Sequence, residues 1–587
     1  MTSKSTDSKR KFSFYLILLA LPFLILLLLE MGLRLFSYGH DYPLFVPVES
    51  HDQYLQVNPQ ILNRYFSNKS QTPPISPDPF IFLKDKPQDS FRIIVQGGST
   101  AAGFPLGQDS SIAGMIRQRL KRLFPDKNIE VISTAMAAVN SYTLLDFTDE
   151  ITQITPDLVL IYAGHNEFLG IMGAGSVFAS KGGRPATLMF LKLKELRLFQ
   201  LMQQVIGFFQ SDNQTETEGS SSAESTGKRN IMAQVASGKK IPINSDTFNQ
   251  GLEQFSGNLD LILKVYQEKG IPVYISTLVS NEKDQRPFAS STEKDNADSF
   301  FAEAKQLEQS ENYQQAKDNY IKAIDHDLLR FRAPSQFNEI IRNKASRSGV
   351  TLVDAEEVLR NDTLNGIIGH AHMYEHLHPT ARGYFLLAES FAQTIVENQI
   401  IATNPKNFSS RDAWYDIPVT NVEKIMADFN IRSLTSDFPF TDSPQAVEFG
   451  PINSFEKKMA YQLMNGADWL ETHRALLQHY YEARQDKKAA KVAAKMADRY
   501  PHFADLAFVA GEIYFQNRES EMALYYHRKA IELAPKNTEY LMKAAMTFFA
   551  NNMPEKTLDM LNRVLEIEPD NNKAAMQKNR LLEVMKR

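Results

Sequence analysis

The sequence predicts an α/β domain with a parallel sheet, followed by an all-α repeat solenoid and preceded by one transmembrane helix. Three observations predict this arrangement: short β-branched runs that alternate with amphipathic helices, a 34-residue period near the C-terminus, and an uncharged apolar run near the N-terminus. At 587 residues the chain is also too long for a single hydrophobic core, so two or three folded units are expected.

Five short segments rich in β-branched residues predict the strands of the α/β domain. Helical stretches such as 112–124 and 248–269 separate them, and this alternation indicates a parallel sheet covered on both faces. The working residues of such a sheet lie in loops at the carboxyl ends of its strands. The five segments are FRIIVQ (91–96), EVISTA (130–135), DLVLIYA (157–163), IPVYIST (271–277) and TLVDA (351–355).

The apolar segment near the N-terminus predicts a membrane anchor. Residues 12–29 carry no charge, and at a rise of about 1.5 Å per residue a helix of roughly twenty residues spans a hydrocarbon core. Basic residues at positions 4, 9, 10 and 11 keep the N-terminus cytoplasmic by the positive-inside rule. A cleaved signal peptide is the alternative, but residues 30–34 do not form a small-x-small cleavage site. We therefore expect a single-pass protein of the cell inner membrane whose bulk is extracytoplasmic, in the periplasm.

Composition and patterning divide the rest of the chain. The net charge of −5 gives no reason to expect a nucleic-acid partner, and the absence of cysteine excludes disulfides, thiolate zinc sites and cysteine nucleophiles. Within the α/β domain, a polar tract at about 211–230 is expected to be a disordered insert and 297–328 a helical hairpin insert. The expected order is a cytoplasmic tail (1–11), a transmembrane anchor (12–36), a stalk (37–88), the α/β domain (89–400), a linker (401–465) and the repeats (466–587).

The repeats resemble the tetratricopeptide repeat, in which each 34-residue unit is a pair of helices. Three repeats cover about 470–571 and a final helix to Arg587 caps them, forming a groove for a protein partner or, alternatively, only a spacer. The hairpin at 297–328 has the same offsets, so it is either one isolated repeat or an ordinary helical hairpin. Residues that keep the 34-residue step are the prolines Pro501, Pro535 and Pro569, the small residues Ala489, Ala523 and Thr557, and the aromatic residues Tyr480, Tyr514 and Phe548.

Ser99 is the candidate nucleophile. It follows the first strand in the segment QGGST (96–100), where two glycines let the backbone turn sharply and place a hydroxyl at the mouth of the sheet. Taken alone, the segment is more typical of a phosphate-binding turn or of a strand-to-helix cap.

Two further segments at strand ends supply an amide and an imidazole. Asn166, in GHNE (164–167), can donate its side-chain amide to a developing oxyanion, although an asparagine there can equally cap a helix. His378, in EHLHP (375–379), can take and return a proton near neutral pH, and Glu375 can hold its ring.

The histidines around His378 permit other interpretations. His370, His372, His376 and His378 form an H-x-H…H-x-H pattern that could hold zinc or another divalent ion, and a plain helix start near Thr380 is a further alternative. No cysteine or carboxylate-rich cluster accompanies the pattern, and a metal would explain neither the serine nor the amide. We therefore expect no metal and no cofactor.

A small-residue turn at 133–141 (STAMAAVNS) completes the set, since small residues permit close backbone approach to a substrate. GGST, this turn, GHNE and EHLHP occur in the order and strand context of the motif blocks of the SGNH, or GDSL-like, hydrolases, and together they resemble that superfamily over about residues 90–395. The resemblance implies a three-layer, flavodoxin-like α/β fold.

The resemblance also implies roles for individual residues. Ser99 matches the nucleophile, His378 the base, and Glu375 the acidic residue that is usually an aspartate. The oxyanion hole would consist of Asn166 and the backbone N–H groups of Ser99 and Ala138, where Ala138 replaces the usual glycine. An alanine can still donate its N–H provided that its φ is negative, and Glu375, being one methylene longer, must fold back to reach the ring.

The predicted reaction is two-step acyl transfer, in which Ser99 attacks an ester carbonyl and the acyl group then passes to water or to a second hydroxyl. An anchored, outward-facing enzyme suits acetyl groups of envelope glycans or acyl esters of lipids. The sequence thus predicts a membrane-anchored serine esterase or O-acyltransferase. The alternative is a non-catalytic glycan-binding or assembly scaffold that uses the α/β domain and the repeats.

Overall fold

The structure is a computed structural model that describes residues 4–66, 72–177, 179, 182–211, 232, 239–347 and 349–586. The expected disordered insert at 211–230 lies outside these residues beyond Ser211. The chain divides into two units. Unit 1 comprises Met1–Leu44, Asn58–Ser76 and Ser180–Arg229, and unit 2 comprises Phe45–Val57, Pro77–Ala179 and Asn230–Arg587.

Strands and helices alternate in the first part of unit 2, and only helices follow among its described residues. The strands are β1 (Phe45–Val48), β2 (His51–Val57), β3 (Ile81–Leu83), β4 (Ser90–Gly97), β5 (Asn128–Ser133), β6 (Leu158–Tyr162), β7 (Val273–Ser276) and β8 (Val350–Val353). The α-helices are α1 (Lys4–Leu35), α2 (Ser99–Ala102), α3 (Ile112–Leu123), α4 (Ser141–Gln153), α5 (Gly183–Leu193), α6 (Arg197–Ser211), α7 (Asp246–Glu268), α8 (Ala297–Gln309), α9 (Tyr313–Asp325), α10 (Ser335–Ala345), α11 (Ala355–Asn361), α12 (Ala381–Glu397), α13 (Ser410–Tyr415), α14 (Asn421–Thr435), α15 (Phe455–Met464), α16 (Trp469–Glu482), α17 (Asp486–Arg499), α18 (Ala504–Gln516), α19 (Ser520–Leu533), α20 (Thr538–Ala550), α21 (Pro554–Ile567) and α22 (Asn572–Met585).

The five strands β4 to β8 form one parallel sheet in the order β5-β4-β6-β7-β8. This is the flavodoxin-like order, in which the first strand lies inside the sheet. The strands are nearly continuous apolar runs because both faces of the sheet are covered. Helices α3 and α12 pack together on one side, whereas α4, α7 and α10 pack together on the other. The predicted three-layer α/β domain is confirmed.

The helices that flank the site begin at capping side chains. Ser111 accepts a hydrogen bond from the Gly114 backbone N–H at the start of α3, and Asn140 does the same for Tyr142 at the start of α4. Thr380 caps α12. Such caps typically stabilise a helix by about 1 kcal/mol. They fix where each loop at the carboxyl edge of the sheet ends.

Within the expected stalk at 37–88, three strands are present at 45–48, 51–57 and 81–83. Strands β1, β2 and β3 form an antiparallel sheet. Tyr54 of β2 is buried, with its ring 5.5 Å from that of His502 in the repeats. The expectation of an extended stalk that packs partly on the next domain did not include this sheet. β1 and β2 are neighbours in the sequence, whereas β3 pairs with β2 across the intervening residues 58–80, so no local pattern indicates that pairing.

In unit 1, α1 contains a segment, Phe14–Leu35, that by length and composition could cross a membrane. An 18-residue window of this segment has a mean hydropathy of 2.7, and none of that window is buried. At the end of α1, the carboxylate of Glu30 accepts hydrogen bonds from the backbone N–H groups of Arg197 (3.1 Å) and Leu198 (2.8 Å). Glu30 therefore satisfies orphan donors at the start of α6.

The C-terminal repeats are three helix pairs, α16–α17, α18–α19 and α20–α21, followed by α22. The small residues Ala489 and Ala523 are fully buried, which lets the two helices of each pair approach closely. The predicted tetratricopeptide-like solenoid with a terminal helix is confirmed. The expected hairpin insert is present as α8 and α9, and the expected linker at 401–465 contains α13, α14 and α15.

A buried ion pair joins the repeats to the α/β domain within unit 2. Lys121 on α3 contacts the carboxylate of Asp498 on α17 and donates to the Tyr526 hydroxyl on α19 at 2.8 Å. The Lys121 side chain is 1% exposed and that of Asp498 is 9% exposed. Burial lowers the pKa of Lys121 to about 8. Each of these buried charges is therefore stabilised by the other in place of water.

Replacing Lys121 tests this dependence. Lys121→Met should lower the free energy of unfolding by up to about 3–5 kcal/mol because it removes the main cationic partner of the buried Asp498 carboxylate. The measurement is urea unfolding followed by the fluorescence of the two tryptophans, Trp414 and Trp469. In the matched control Lys264→Met, the lost lysine is 68% exposed, and the change should stay within about 0.5 kcal/mol. Equal changes in the two variants would contradict the role of the buried pair.

Candidate active site

Ser99 and Asn166 follow the adjacent strands β4 and β6, where the strand order of the sheet reverses. In open α/β sheets, the crevice at such a point is the usual ligand site. Ser99 is the first residue of the one-turn helix α2, and its N-cap is Gly98. The local sequence also allowed a role for Ser99 as a helix cap, and the structure excludes it because Gly98 is the N-cap.

The structure brings Ser99 to His378, which lies 279 residues further along the chain. The distance between Ser99 Oγ and His378 Nε2 is 2.8 Å. The carboxylate of Glu375 contacts His378 Nδ1 and also accepts a hydrogen bond from the His378 backbone N–H at 3.1 Å. Because Nδ1 donates to the carboxylate, the lone pair of the neutral ring is on Nε2, where it can accept the serine proton. His378 is also not a helix start, since Thr380 caps α12.

Glu375 holds a second imidazole in the same way. Its other oxygen contacts His376 Nδ1 and accepts from the His376 backbone N–H at 2.5 Å. The His376 ring lies among the rings of Phe288, Phe331 and Phe440. The longer side chain of glutamate thus folds back between two rings. From the sequence, His376 was a candidate only as a metal ligand.

The four histidines of the alternative metal site do not converge. His372 Nε2 lies 2.9 Å from a carboxylate oxygen of Asp362, and His370 Nδ1 lies 3.3 Å from the Met373 carbonyl oxygen. Among the described residues, the group whose ligand atoms all lie within 4.8 Å of one another is Glu375, His376 and His378. In this group the carboxylate lies between the two Nδ1 atoms, while His378 Nε2 faces the Ser99 hydroxyl.

Burial sets the charge of the imidazole at the site. It lowers the pKa of His378 to about 3, and the carboxylate of Glu375 acts against this shift by favouring the protonated ring. His378 is therefore neutral near pH 7 and has a free lone pair. A ring in this state can act as a general base.

The amide of Asn166 lies beside the backbone that leads to Ser99. Its Nδ2 donates to the Val139 carbonyl oxygen at 2.9 Å, and a Cβ on Gly98 would lie 2.9 Å from the same nitrogen. Asn166 does not cap any described helix. A primary amide carries two N–H groups, so one remains available beyond the bond to Val139.

The backbone of Ala138 differs from the expectation. Its φ is +59°, not negative. The expectation that Ala138 can donate its N–H only at a negative φ was wrong, because a backbone N–H can donate at either sign of φ. A positive φ instead imposes steric strain on the alanine Cβ. Among the described residues, no acceptor is bonded to the Ala138 N–H.

Glu167 is a buried residue whose structural role was not predicted from the sequence. Its carboxylate accepts from the Ser141 N–H (2.7 Å), the Ser141 hydroxyl (2.8 Å) and Gln254 Nε2 (2.7 Å). Burial raises its pKa to about 7. These bonds tie the loop of Asn166 to the start of α4, just after the turn that contains Ala138. The only sequence signal was an acidic residue next to the candidate amide.

No protein-family model matches the chain, and no curated protein matches it. Among solved structures, the chain is similar to an acetylxylan esterase from Geobacillus stearothermophilus, with 13% identity, 53% of this chain and 96% of the other covered, and a TM-score of 0.28. A GDSL-like lipase from Bacteroides thetaiotaomicron shows 14% identity, coverage of 54% and 93%, and a TM-score of 0.26. The first TPR domain of the human RPAP3 protein shows 20% identity, coverage of 20% and 91%, and a TM-score of 0.18. Because these TM-scores are low, the fold is defined by the strand order and the helix pairs of this chain itself.

Neither of the two glycines before Ser99 has a positive φ, and Gly97 is the one that is needed for space. A Cβ on Gly97 would lie 2.2 Å from the Tyr162 carbonyl oxygen, whereas a Cβ on Gly98 would meet only the movable Asn166 amide within 3.5 Å.

Gly97→Ala should therefore destabilise the protein by at least about 1–3 kcal/mol. Gly98→Ala should change stability by less than about 1 kcal/mol, since an alanine tolerates this extended backbone. Urea unfolding of both variants checks this, and equal destabilisation would refute the difference.

Proposed function

We propose that this chain is a membrane-anchored serine esterase or O-acyltransferase that acts on ester-linked acyl groups. The observation that carries the proposal is the 2.8 Å contact between Ser99 Oγ and His378 Nε2, with Glu375 on the other ring nitrogen. A hydroxyl, an imidazole and a carboxylate connected in this order are the working parts of a serine hydrolase. The burial of Glu375 and His378 and the neutral state of His378 support the same role.

In the proposed reaction, His378 Nε2 takes the proton of the Ser99 hydroxyl while Oγ forms a bond to the ester carbonyl carbon. The tetrahedral intermediate collapses when the bond to the alcohol oxygen breaks, and His378 returns the proton to that oxygen. Water or a second hydroxyl then attacks the acyl-serine by the same steps in reverse. Glu375 keeps Nδ1 protonated and stabilises the imidazolium that forms twice in each cycle.

The proposed oxyanion hole consists of the second amide N–H of Asn166 and the backbone N–H groups of Ser99 and Ala138. Support comes from the position of the Asn166 amide beside Gly98 and from the unpaired N–H of Ala138 among the described residues. Donors fixed before the reaction stabilise the oxyanion without a cost of reorganisation. Glu167 would hold this loop in place through Ser141 and Gln254.

We propose that α1 anchors the protein in the cell inner membrane with the bulk of the chain in the periplasm. The apolar segment Phe14–Leu35 and the basic residues before it support this orientation. Within unit 1, α6 is tied to the end of α1 by Glu30 and leaves Met202, Val205 and Ile206 about half exposed. Such an apolar face beside an anchor suits contact with lipid.

The proposed substrates are acetyl esters of envelope glycans or acyl esters of lipids. We also propose that the repeats bind a protein partner through their first helices, because α17 and α19 are engaged with the α/β domain. Val509 on α18 and Met546 and Phe549 on α20 are between 38% and 54% exposed. Exposed apolar side chains of this kind are typical of a contact surface.

Covalent labelling tests the proposed nucleophile. The full-length protein in detergent is treated with a fluorophosphonate probe, which reacts with an activated serine hydroxyl. We expect labelling of the wild type and its complete loss in Ser99→Ala, with the modified peptide containing residue 99. In the matched control Ser310→Ala, a serine bonded only within its own helix end is removed, and labelling should be unchanged. An unlabelled wild type would favour a non-catalytic scaffold.

A second variant tests the oxyanion role. Asn166→Ala should lower kcat by roughly 10²–10³ with little change in KM, since the lost hydrogen bond forms mainly in the transition state. Hydrolysis of p-nitrophenyl acetate provides the measurement, and Asn249→Ala, an exposed asparagine on α7, is the control. A loss of less than about threefold in Asn166→Ala would contradict the assignment.

A further inference from the structure

The Glu375 carboxylate accepts hydrogen bonds from two histidines at once. One oxygen accepts from the backbone N–H of His378 at 3.1 Å and contacts Nδ1 of the same residue. The other oxygen accepts from the backbone N–H of His376 at 2.5 Å and contacts Nδ1 of that residue. A carboxylate has about four lone-pair sites, so these four donors use all of them. Glu375 and His376 are each 2% exposed, so water does not compete for the carboxylate.

The His376 ring is a neutral donor in this arrangement. An ionised carboxylate can only accept, so its contact with Nδ1 requires a proton on that nitrogen. Burial lowers the pKa of His376 well below its usual range, and the neighbouring His378 acts in the same direction. In the part of the chain that the structure describes, the histidine bonded to Ser99 is His378, and no hydrogen bond joins His376 to Ser99. His376 therefore reaches the reacting groups through Glu375.

Three aromatic rings fix the plane of the His376 ring. The rings of Phe288, Phe331 and Phe440 have centroids 5.4, 6.2 and 5.5 Å from it, at interplanar angles of 75°, 83° and 70°. Aromatic rings favour such edge-to-face contacts. The three phenylalanines follow β7, α9 and α14, respectively, and the Asn281 backbone N–H donates to the His376 carbonyl oxygen at 2.9 Å. Contacts from three distant segments thus direct Nδ1 at the carboxylate.

The length of the glutamate side chain explains why a second donor matters. A glutamate carboxylate has one more rotatable bond behind it than an aspartate carboxylate, so holding it still costs more side-chain entropy. Held by His378 alone, the carboxylate could turn and would leave one oxygen buried without a ring donor, which is unfavourable. With His376 on that oxygen, the other oxygen of Glu375 keeps facing His378 Nδ1.

We propose that His376 is a positioning residue of the esterase site, whose Nδ1–H holds the Glu375 carboxylate in the orientation that fixes the His378 ring against Ser99. This inference rests on the proposed function, because it concerns the proton transfers of that reaction. His376 keeps its own proton throughout the cycle. His378 becomes an imidazolium in the transition state, and the fixed carboxylate stabilises that charge. The contribution of His376 is therefore made in the transition state more than in substrate binding.

The test compares two replacements of His376 that separate the donor from the ring. In His376→Asn, the side-chain Nδ2 is attached to Cγ as the imidazole Nδ1 is, so the donor is kept and the ring is lost. In His376→Phe, the ring is kept and the donor is lost. Values of kcat and KM for p-nitrophenyl acetate are measured on the full-length protein in detergent. They are expressed per serine titrated with the fluorophosphonate probe, so that misfolded protein is not counted.

We expect His376→Phe to lower kcat roughly 10–100-fold with KM nearly unchanged, as for the loss of one hydrogen bond to a charged group. His376→Asn should lower kcat by less than about threefold, since that hydrogen bond is kept. His376→Leu, which has no donor either, should match His376→Phe and takes its place if the phenylalanine variant does not fold.

The matched control is His326→Phe, which should leave kcat unchanged. His326 Nδ1 lies 2.9 Å from the Lys322 carbonyl oxygen, and its ring lies 4.9 Å from that of Phe300. The same substitution there removes a similar donor beside a similar ring, away from the residues of the candidate active site.

A role in packing alone would reverse the order of the two variants, because His376→Phe keeps the ring contacts and His376→Asn does not. That order overturns the inference, as does an equal loss of kcat in both variants, a change confined to KM, or wild-type activity in both His376→Phe and His376→Leu. In each of these cases an active wild type leaves the proposed function standing. A wild type that neither reacts with the probe nor hydrolyses the ester overturns the proposed function and this inference with it.

Discussion

The candidate site depends on the geometry of a parallel sheet whose strand order reverses between β4 and β6. All five strands point the same way, so the loops after them emerge at one edge. The reversal opens a crevice there and places Ser99 on one side and Asn166 on the other. His378 reaches this crevice from beyond β8, because α12 packs against α3 and brings the loop before it across the edge. Without the shared edge, residues 279 positions apart would not meet.

Several buried charged groups in this protein have partners held in fixed positions. Glu375 lies between two imidazoles, and Glu167 accepts three hydrogen bonds across two loops. Lys121 and Asp498 satisfy each other between the α/β domain and the repeats. Removing one partner from such a pair costs more than the pair itself contributes, because the remaining charge stays desolvated. These contacts therefore fix the positions of side chains more than they add to the free energy of unfolding.

The repeats use their two sets of helices differently. The second helices α17 and α19 contact the α/β domain through Asp498 and Tyr526, whereas the first helices α18 and α20 leave Val509, Met546 and Phe549 exposed. The helical hairpin insert, with the same offsets, instead lines a cavity that His165 also lines. In the repeats and in the helical hairpin insert alike, helices paired through small residues lie around the sheet that carries the candidate active site.

The strands β4 to β8, the repeat helices and the apolar segment follow from local patterns, and the sequence by itself determined them. The 34-residue period, the uninterrupted apolar runs and the spacing of the small residues can each be recognised within a few tens of residues. Only the tertiary structure decided that Gly97 serves close packing, that Ala138 has a positive φ, and that β3 pairs with β2. It also decided that His376 shares Glu375 and lies among rings from three distant segments. Each of these depends on contacts between distant segments, which no local pattern encodes.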